Sequence, residues 1–453
     1  MFKKILSFVI VVMLSLSSKA QQNQQWENLF NGKDLKGWKL INGNAQYEAK
    51  DGMIVGTTVV GSPNSFLATE KTFGDFILEF EFRVNETEMN SGVQVRSESK
   101  PDYMNGRVHG YQYEIDPSSR AWTAGIYDEA RRDWLYTMDY NEAAKPLFKI
   151  GQWNKGRVEC VSNSIRTFLN DKPAANVVDD MTARGFIALQ VHQITKPEDA
   201  GKKVYFKNIR IQTKNLKPSP LDNIFVMNFI PNNISQQETN NGVKLLWDGK
   251  TTNGWRGVYK DHFPDKGWEI KDGVLSVLGA QGNESANGGD IITAKEYRAF
   301  VVQFDFKLTP GANSGVKYFV TENEHNTGSA IGLEYQILDD DLHPDAKLGS
   351  IGNRTEASLY DMIPSVKNSR ARKKIGEWNK GMIVVRPDNT VEHWLNGWKM
   401  LDYKRGSQYY LALVAKSKYE HWPNFGMAEK GHILLQDHGN NVSFRSIKIL
   451  ELK

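Results

Sequence analysis

The sequence predicts an all-β protein made of two tandem copies of a two-sheet sandwich, a jelly roll in each copy. Three observations carry this: a long internal repeat, apolar–polar alternation at strand period, and a composition rich in aromatic residues and glycine. Aromatics make up 11% of the 453 residues and stand beside 38 Gly, a mixture that suits strands and turns better than helix bundles. Hydrophobic residues at 40% and charged residues at 24% exclude both a disordered acidic chain and a membrane-embedded one. The length allows two or three domains, each burying its own core.

The elements follow in chain order. Met1 to Lys4 is a short basic start, Ile5 to Leu16 is almost unbroken apolar sequence, and Ser18-Lys19-Ala20 is a small-x-small cleavage site. This pattern predicts a secretory signal peptide over 1–20 and hence export to the periplasm or the exterior. Loss of Lys3, Lys4 and Lys19 takes the formal charge from +4 to +1. No cysteine follows the cleavage site to take a lipid, and no later stretch has the roughly 20 apolar residues of a membrane helix. The charge is spread along the chain with no basic block, so nucleic acid is not an expected partner. Cys160 is the single cysteine, so no intrachain disulfide forms, and its place in an alternating strand reads as a buried structural thiol.

The repeat organises the rest. Leu29-Phe30-Asn31-Gly32-Lys33 with Gly37-Trp38 returns as Leu246-Trp247-Asp248-Gly249-Lys250 with Gly254-Trp255, and Gly32 and Gly249 are 217 residues apart. Phe76 to Phe82 returns as Phe300 to Phe306, Asn90-Ser91-Gly92-Val93 as Asn313-Ser314-Gly315-Val316, and Trp153-Asn154-Lys155-Gly156 as Trp378-Asn379-Lys380-Gly381. A period of this size is a domain duplication, since solenoid repeats run about 20–50 residues. The reading is a first domain over 26–212, a linker over 213–242 holding an apolar segment Ile224 to Ile230, and a second domain over 243–453. Phe76, Leu78, Phe80 and Phe82 alternate with Ile77, Glu79 and Glu81 as a half-buried strand does. Asn396-Gly397 between two strand-like runs is a hairpin signal, with Asn170-Asp171 as its weaker counterpart.

Three recurring strands carry polar side chains where a sandwich is normally apolar. Glu334 and Gln336 share one strand face, matched by Gln112, Glu114 and Asp116 in the first copy. After Asn-Ser-Gly, Gln94 and Arg96 are expected to share a face, as are Lys317 and Phe319. The third strand carries Gln436 and His438, matched by Gln190 and His192. A solvated sheet face explains such alternation in many proteins, and a histidine at a strand end is often structural; the alternative is a polar site built twice, with imidazole as its proton carrier near neutral pH. Tyr127-Asp128 and Tyr360-Asp361 add a further acid in each copy.

These residues resemble the 3-keto-disaccharide hydrolase domain family. The likeness rests on Leu29 to Trp38, Asn-Ser-Gly-Val, Gly332 to Asp339, Ala357-Ser358-Leu359-Tyr360-Asp361, and Gly431 to Gly439 leading into Val442-Ser443-Phe444-Arg445, and it runs through nearly the whole chain after the signal peptide, twice. It implies a concanavalin-like jelly roll related to laminarinase- and lichenase-type β-glucanases, acting on glycosides oxidised to a ketone at sugar carbon 3. The first copy departs from the pattern: Gln112-Tyr113-Glu114 reverses acid and amide, Val191 replaces Asp437, and the 417–426 segment is missing. The second copy is therefore expected to hold the better-kept site.

A ketone at carbon 3 acidifies the proton on carbon 2, and its loss permits elimination of the substituent on carbon 1. Such a site needs a base, a stabiliser for the enolate oxygen and an acid for the leaving oxygen. His438 is the candidate base and Glu334 or Asp361 the candidate acid. Gln336 and Lys317 are the candidate oxyanion stabilisers, and a divalent metal held by carboxylate and imidazole is the alternative. Trp422 offers a platform for a sugar ring or packs on the core. Gln436, Gln112, Glu114, Arg96, Gln190 and His192 complete the expected sugar-contacting set. Two competing readings stay open: a non-catalytic carbohydrate-binding protein, and an ordinary retaining glucanase, against which Gln336 stands where a second carboxylate would be required.

Overall fold

The structure, a computed structural model, describes residues 26–323, 330–422 and 424–453, so the expected signal peptide lies outside the described residues. Strands dominate, and α-helix is confined, among the described residues, to Gln236–Asn240 and Gln408–Val414. The strands form four sheets, of nine and seven strands in the first half and of eight and five in the second. In each half the two sheets enclose one apolar core, the first around Phe80, Phe82, Tyr113 and Trp122 and the second around Phe304, Phe306, Tyr335 and Leu359.

The repeated motifs have packing reasons. Trp38 Nε1 donates to the Leu29 carbonyl at 2.8 Å, and Trp255 Nε1 donates to the Leu246 carbonyl at 2.7 Å. Each ring thus closes the opening turn of its own sandwich while burying a large apolar surface. A Cβ on Gly156 would lie 2.3 Å from the Phe80 ring, and one on Gly381 would lie 2.3 Å from the Phe304 ring. Only glycine lets that strand cross the aromatic ladder. Both hairpins form: Leu395 pairs with Trp398 and Leu169 with Lys172. The turn residues Asn396 (φ 47°), Gly397 (φ 89°), Asn170 (φ 49°) and Asp171 (φ 64°) take the left-handed conformation that a two-residue turn requires. Cys160 is fully buried, and burial pushes its thiol up to about 12.

The stretch between the halves is tied to both. Met227–Asn228 pairs in parallel with Lys172–Val178 of the first half. The helix Gln236–Asn240 starts in a capping box on Ser235, and its Glu238 carboxylate accepts from Lys448 Nζ of the second half at 2.8 Å, both side chains 2% exposed. The halves also meet directly: Trp122 and Trp398 rings lie 5.0 Å apart, Tyr140 stacks on Trp394 at 4.9 Å, and Arg370 pairs with Asp133 at 2.6 Å.

Candidate active site

The five-stranded sheet of the second half runs Trp255–Gly257, Ile291–Thr293, His432–Leu435, Asn313–Thr321, Ile331–Leu338. Val316, Tyr318, Leu333, Tyr335 and Ile337 face the core. Alternation then turns Lys317, Glu334 and Gln336 to the opposite face, where Lys317 stands directly across from Glu334 and Gly315 from Gln336. The Asn-Ser-Gly glycine is a matter of room, because a Cβ on Gly315 would lie 2.4 Å from Glu334 Oε1. The Glu334 carboxylate lies across the bare backbone of its neighbour strand.

The sequence reading missed a second acid here. Ile291 and Ile292 pair with Leu435 and Leu434, so the register sets Asp290 opposite Gln436. Asp290 is buried, its Oδ1 accepts from Asp437 N at 2.8 Å, and its Oδ2 lies 3.7 Å from Lys317 Nζ. The signal was available as an acid opening an otherwise apolar Ile-Ile strand beside Gln436. Burial pushes the Asp290 carboxyl up to about 7, with the Lys317 charge acting the other way. Burial raises Glu334 as well, again opposed by Lys317 and also by Lys418. Burial opposes the Lys317 charge, but Asp290, Glu334 and Glu284 outweigh it and hold its pKa above the usual lysine value. One ammonium thus stands between two carboxyls that both resist ionisation.

Polar groups without partners surround this trio. Both amide atoms of Gln336, the Asn313 Oδ1, the Gln436 Oε1 and the His438 Nδ1 are buried without a hydrogen-bond partner among the described residues. Leaving such groups unpaired costs roughly 1–3 kcal/mol each, and ligand hydroxyls would recover it. His438 is half-buried with its ring centroid 5.7 Å from that of His343, and burial together with the His438 charge lowers the His343 pKa. Asp437 clamps the loop over this end: its Oδ2 accepts from Gly288 N at 3.2 Å and Gly289 N at 3.0 Å.

Three expectations change. Asp361 is engaged in structure, its Oδ1 accepting from Arg354 Nε at 2.7 Å and its Oδ2 from Lys418 N at 2.8 Å, so it pins the 417–426 segment, and its ion pair with Arg354 favours the carboxylate over the protonated acid. Arg96 does not share a face with Gln94, because a bulge breaks the register between Val95 and Glu98 and Arg96 itself sits at φ 45°. Its guanidinium donates instead to the Gly74 carbonyl, the Ser162 carbonyl and Asp75, away from the polar face. The same bulge, with Phe319 at φ 53°, sends Phe319 into the core and parts it from Lys317. Trp422 is partly buried, packs against the second core and has its ring 6.1 Å from Tyr419. Among the described residues no group of three or more His, Cys, Asp or Glu is placed to hold a metal ion.

The first half repeats the frame without the Lys317, Glu334 and Asp290 trio. Gln94 faces Gln112, Gly92 faces Glu114, and Gln190 faces Phe66. By register, Gln94 replaces Lys317, Gln112 replaces Glu334, Glu114 replaces Gln336 and Phe66 replaces Asp290. The amides close on themselves: Ser97 Oγ donates to Gln94, Gln94 Nε2 to Gln112, Gln112 Nε2 to Glu114 at 2.8 Å, and Asn90 Nδ2 to Glu114 at 2.6 Å. Burial still pushes Glu114 up to about 7. Gln190 is buried with both amide atoms unpartnered, while His192 Nδ1 contacts the Gln193 carbonyl at 2.8 Å.

The model of a family described as 3-keto-alpha-glucoside-1,2-lyase-like domain matches residues 25–212 and again 242–450. A 3-keto-disaccharide hydrolase from Bacteroides thetaiotaomicron is 39% identical over 229 residues, covering 46% of this chain and 78% of the relative. A solved structure of a glycosyl hydrolase-like protein from Parabacteroides distasonis is 32% identical, with a TM-score of 0.43, and covers 49% of this chain and 100% of its own. A carbohydrate-binding module from Bacillus subtilis aligns at 14% identity with a TM-score of 0.29, over 39% of this chain and 95% of its own.

Proposed function

We propose, for a chain that belongs in both of its halves to the 3-keto-alpha-glucoside-1,2-lyase-like family, that its second sandwich cleaves glycosides carrying a ketone at sugar carbon 3 and that its first sandwich supports it without catalysis. Family and relatives make the protein glycosyl hydrolase-like and carbohydrate-active. One observation carries the finer reading: a buried ammonium, Lys317, flanked by two carboxyls, Asp290 and Glu334, whose pKa values burial raises. Two carboxyls whose ionisation burial disfavours, set around a buried positive charge, suit proton abstraction beside a carbonyl.

Glu334, the carboxylate of the pair under the pull of Lys317 and Lys418, takes the proton from carbon 2. The electron pair of that C–H bond moves onto the carbon-3 oxygen, and the Lys317 ammonium holds the enolate. As the carbonyl re-forms, the bond between carbon 1 and the glycosidic oxygen breaks, and Asp290, protonated up to about pH 7, gives its proton to the leaving oxygen. The product is the 1,2-unsaturated 3-ketone, and addition of water at carbon 1 with return of a proton to carbon 2 completes a net hydrolysis. Gln336, Gln436 and Asn313 orient sugar hydroxyls, and the base's role expected of His438 passes to Glu334, the carboxyl that stands across from Lys317. Lys317, Glu334 and Asp290 all have uncharged replacements in the first half, which favours support or sugar binding there.

The test is incubation with a 3-keto-glucoside and with its unoxidised parent, followed by product analysis. The keto compound should be cleaved and the parent left intact, with Glu334→Gln and Asp290→Asn each slowing turnover by about 10²-fold or more. Comparable turnover of the parent would sink the keto-sugar reading, and full activity in both variants would remove the carboxyl pair from the mechanism.

A further inference from the structure

A cleft of about 740 Å³ opens where the two sandwiches meet, and it shares no lining residue with the sheet face described above. It falls within the roughly 300–1,000 Å³ of ligand pockets. Its walls come from both halves and from the segment between them: Arg132 on one side, Phe229 below, and Lys373, Lys380, Trp378 and Trp398 on the other. Arg132 lies 5.3 Å over the Phe229 ring, and Lys380 Nζ lies 5.4 Å from the same ring. Cations of two sandwiches therefore converge on one aromatic floor.

Cationic side chains outnumber carboxylates on the walls, although Arg370 pairs with Asp133 and Arg372 with Asp340. Arg132 is held by Asp128 and Asp179, while Lys380 and Arg445 share the single carboxylate of Asp305. Lys373 is half-buried and makes no hydrogen bond or ion pair among the described residues. Burial, then the neighbouring charges of Arg132 and Lys380, lower its pKa against the opposing pull of Glu377 and Asp305. A partly desolvated ammonium facing other cations is costly unless an anion joins them. Meanwhile Trp398, partly buried, packs on both cores, and Trp378 lines the wall with Arg445 4.1 Å over its ring. An apolar indole wall suits a sugar ring, and cations receive carboxylate or sulfate groups.

The geometry points to a second carbohydrate site in this cleft, specific for short anionic oligosaccharides bearing uronate or sulfate groups. It is built jointly by the two halves, and it offers one reason for a tandem arrangement in which the first sandwich lacks the charged trio.

Calorimetric titration of the full chain tests it with four probes: trigalacturonate, a sulfated galactose disaccharide, neutral cellotriose and inorganic phosphate. At least one anionic saccharide should bind, with affinity falling as salt rises. Lys373→Glu should weaken that binding about tenfold or more, and Lys374→Glu, an exposed residue on the same wall, should weaken it in the same direction should the first variant fold poorly. Glu334→Gln should leave it unchanged. Uronate preference and sulfate preference both support the site and identify its ligand. The proposal is overturned by no binding of either anionic saccharide, by phosphate or cellotriose binding as tightly, by indifference to both lysine variants, or by loss of binding in Glu334→Gln.

Discussion

Replacing Lys317 by methionine keeps the length of the side chain and removes its charge. Lys317 Nζ lies 3.7 Å from Asp290 Oδ2, with the two side chains 8% and 0% exposed. At about that distance, and at an effective dielectric of about 20, two unit charges interact by about 4 kcal/mol. This sets the upper scale for what the ammonium gives to an enolate oxygen at similar range. Loss of a preorganised oxyanion partner usually costs about 10²–10³ in turnover, so Lys317→Met should lose that much on a 3-keto-glucoside. A second readout separates chemistry from mere damage. Lys317 holds the Asp290 carboxyl down against a burial that pushes it to about 7, so its removal sends that pKa further up. If protonated Asp290 is the acid, activity fades as pH rises through its pKa, and the alkaline limb of the residual activity should move to higher pH. Initial rates from about pH 5 to 9, with a thermal melt as control for folding, give both numbers. Wild-type turnover in a folded Lys317→Met protein, or a loss of rate with the alkaline limb unmoved, would refute this reasoning.

Gly315→Ala should displace Glu334, since the new Cβ meets its Oε1 at 2.4 Å, and turnover should drop about tenfold or more. Gly92→Ala, which meets Gln112 at 2.4 Å in the first half, should leave turnover nearly intact; equal losses would contradict the division of labour. Asp290→Asn should stabilise the protein more at high than at low pH. The carboxyl ionises near 4 when unfolded and near 7 when folded, so its contribution to stability is full below the unfolded pKa and is lost as pH rises through the folded one. Melting wild type and variant at acid and alkaline pH should show the gap between them widening upward in pH, and a gap that is flat or reversed would exclude a raised Asp290.

The frame of the fold and much of the site were readable because they rest on short-range rules. Period-two alternation places Glu334 and Gln336 on one face whatever the rest of the chain does, and Asn-Gly makes its hairpin locally. What escaped depends on partners distant in sequence or on a single dihedral. Arg96 and Phe319 were assigned to the wrong face because one left-handed residue in each strand shifts the alternation, and neither residue type announces it. Asp361 looked like a free acid because Arg354 and the backbone of Lys418 meet it only in the folded chain. Asp290 escaped because its strand, Ile291–Thr293, is three residues long, too short for alternation to declare a face; only its pairing with His432–Leu435 reveals it.

The central claim, that cleavage proceeds by removing the carbon-2 proton, is tested most directly by comparing a 3-keto-glucoside with the same compound deuterated at carbon 2, in single-turnover cleavage by the full chain. The account predicts that the deuterated compound is cleaved more slowly, because that bond breaks in the transition state, and that Glu334→Gln abolishes most of the rate on both. Equal single-turnover rates for the two compounds would contradict it and return the second sandwich to direct glycoside hydrolysis.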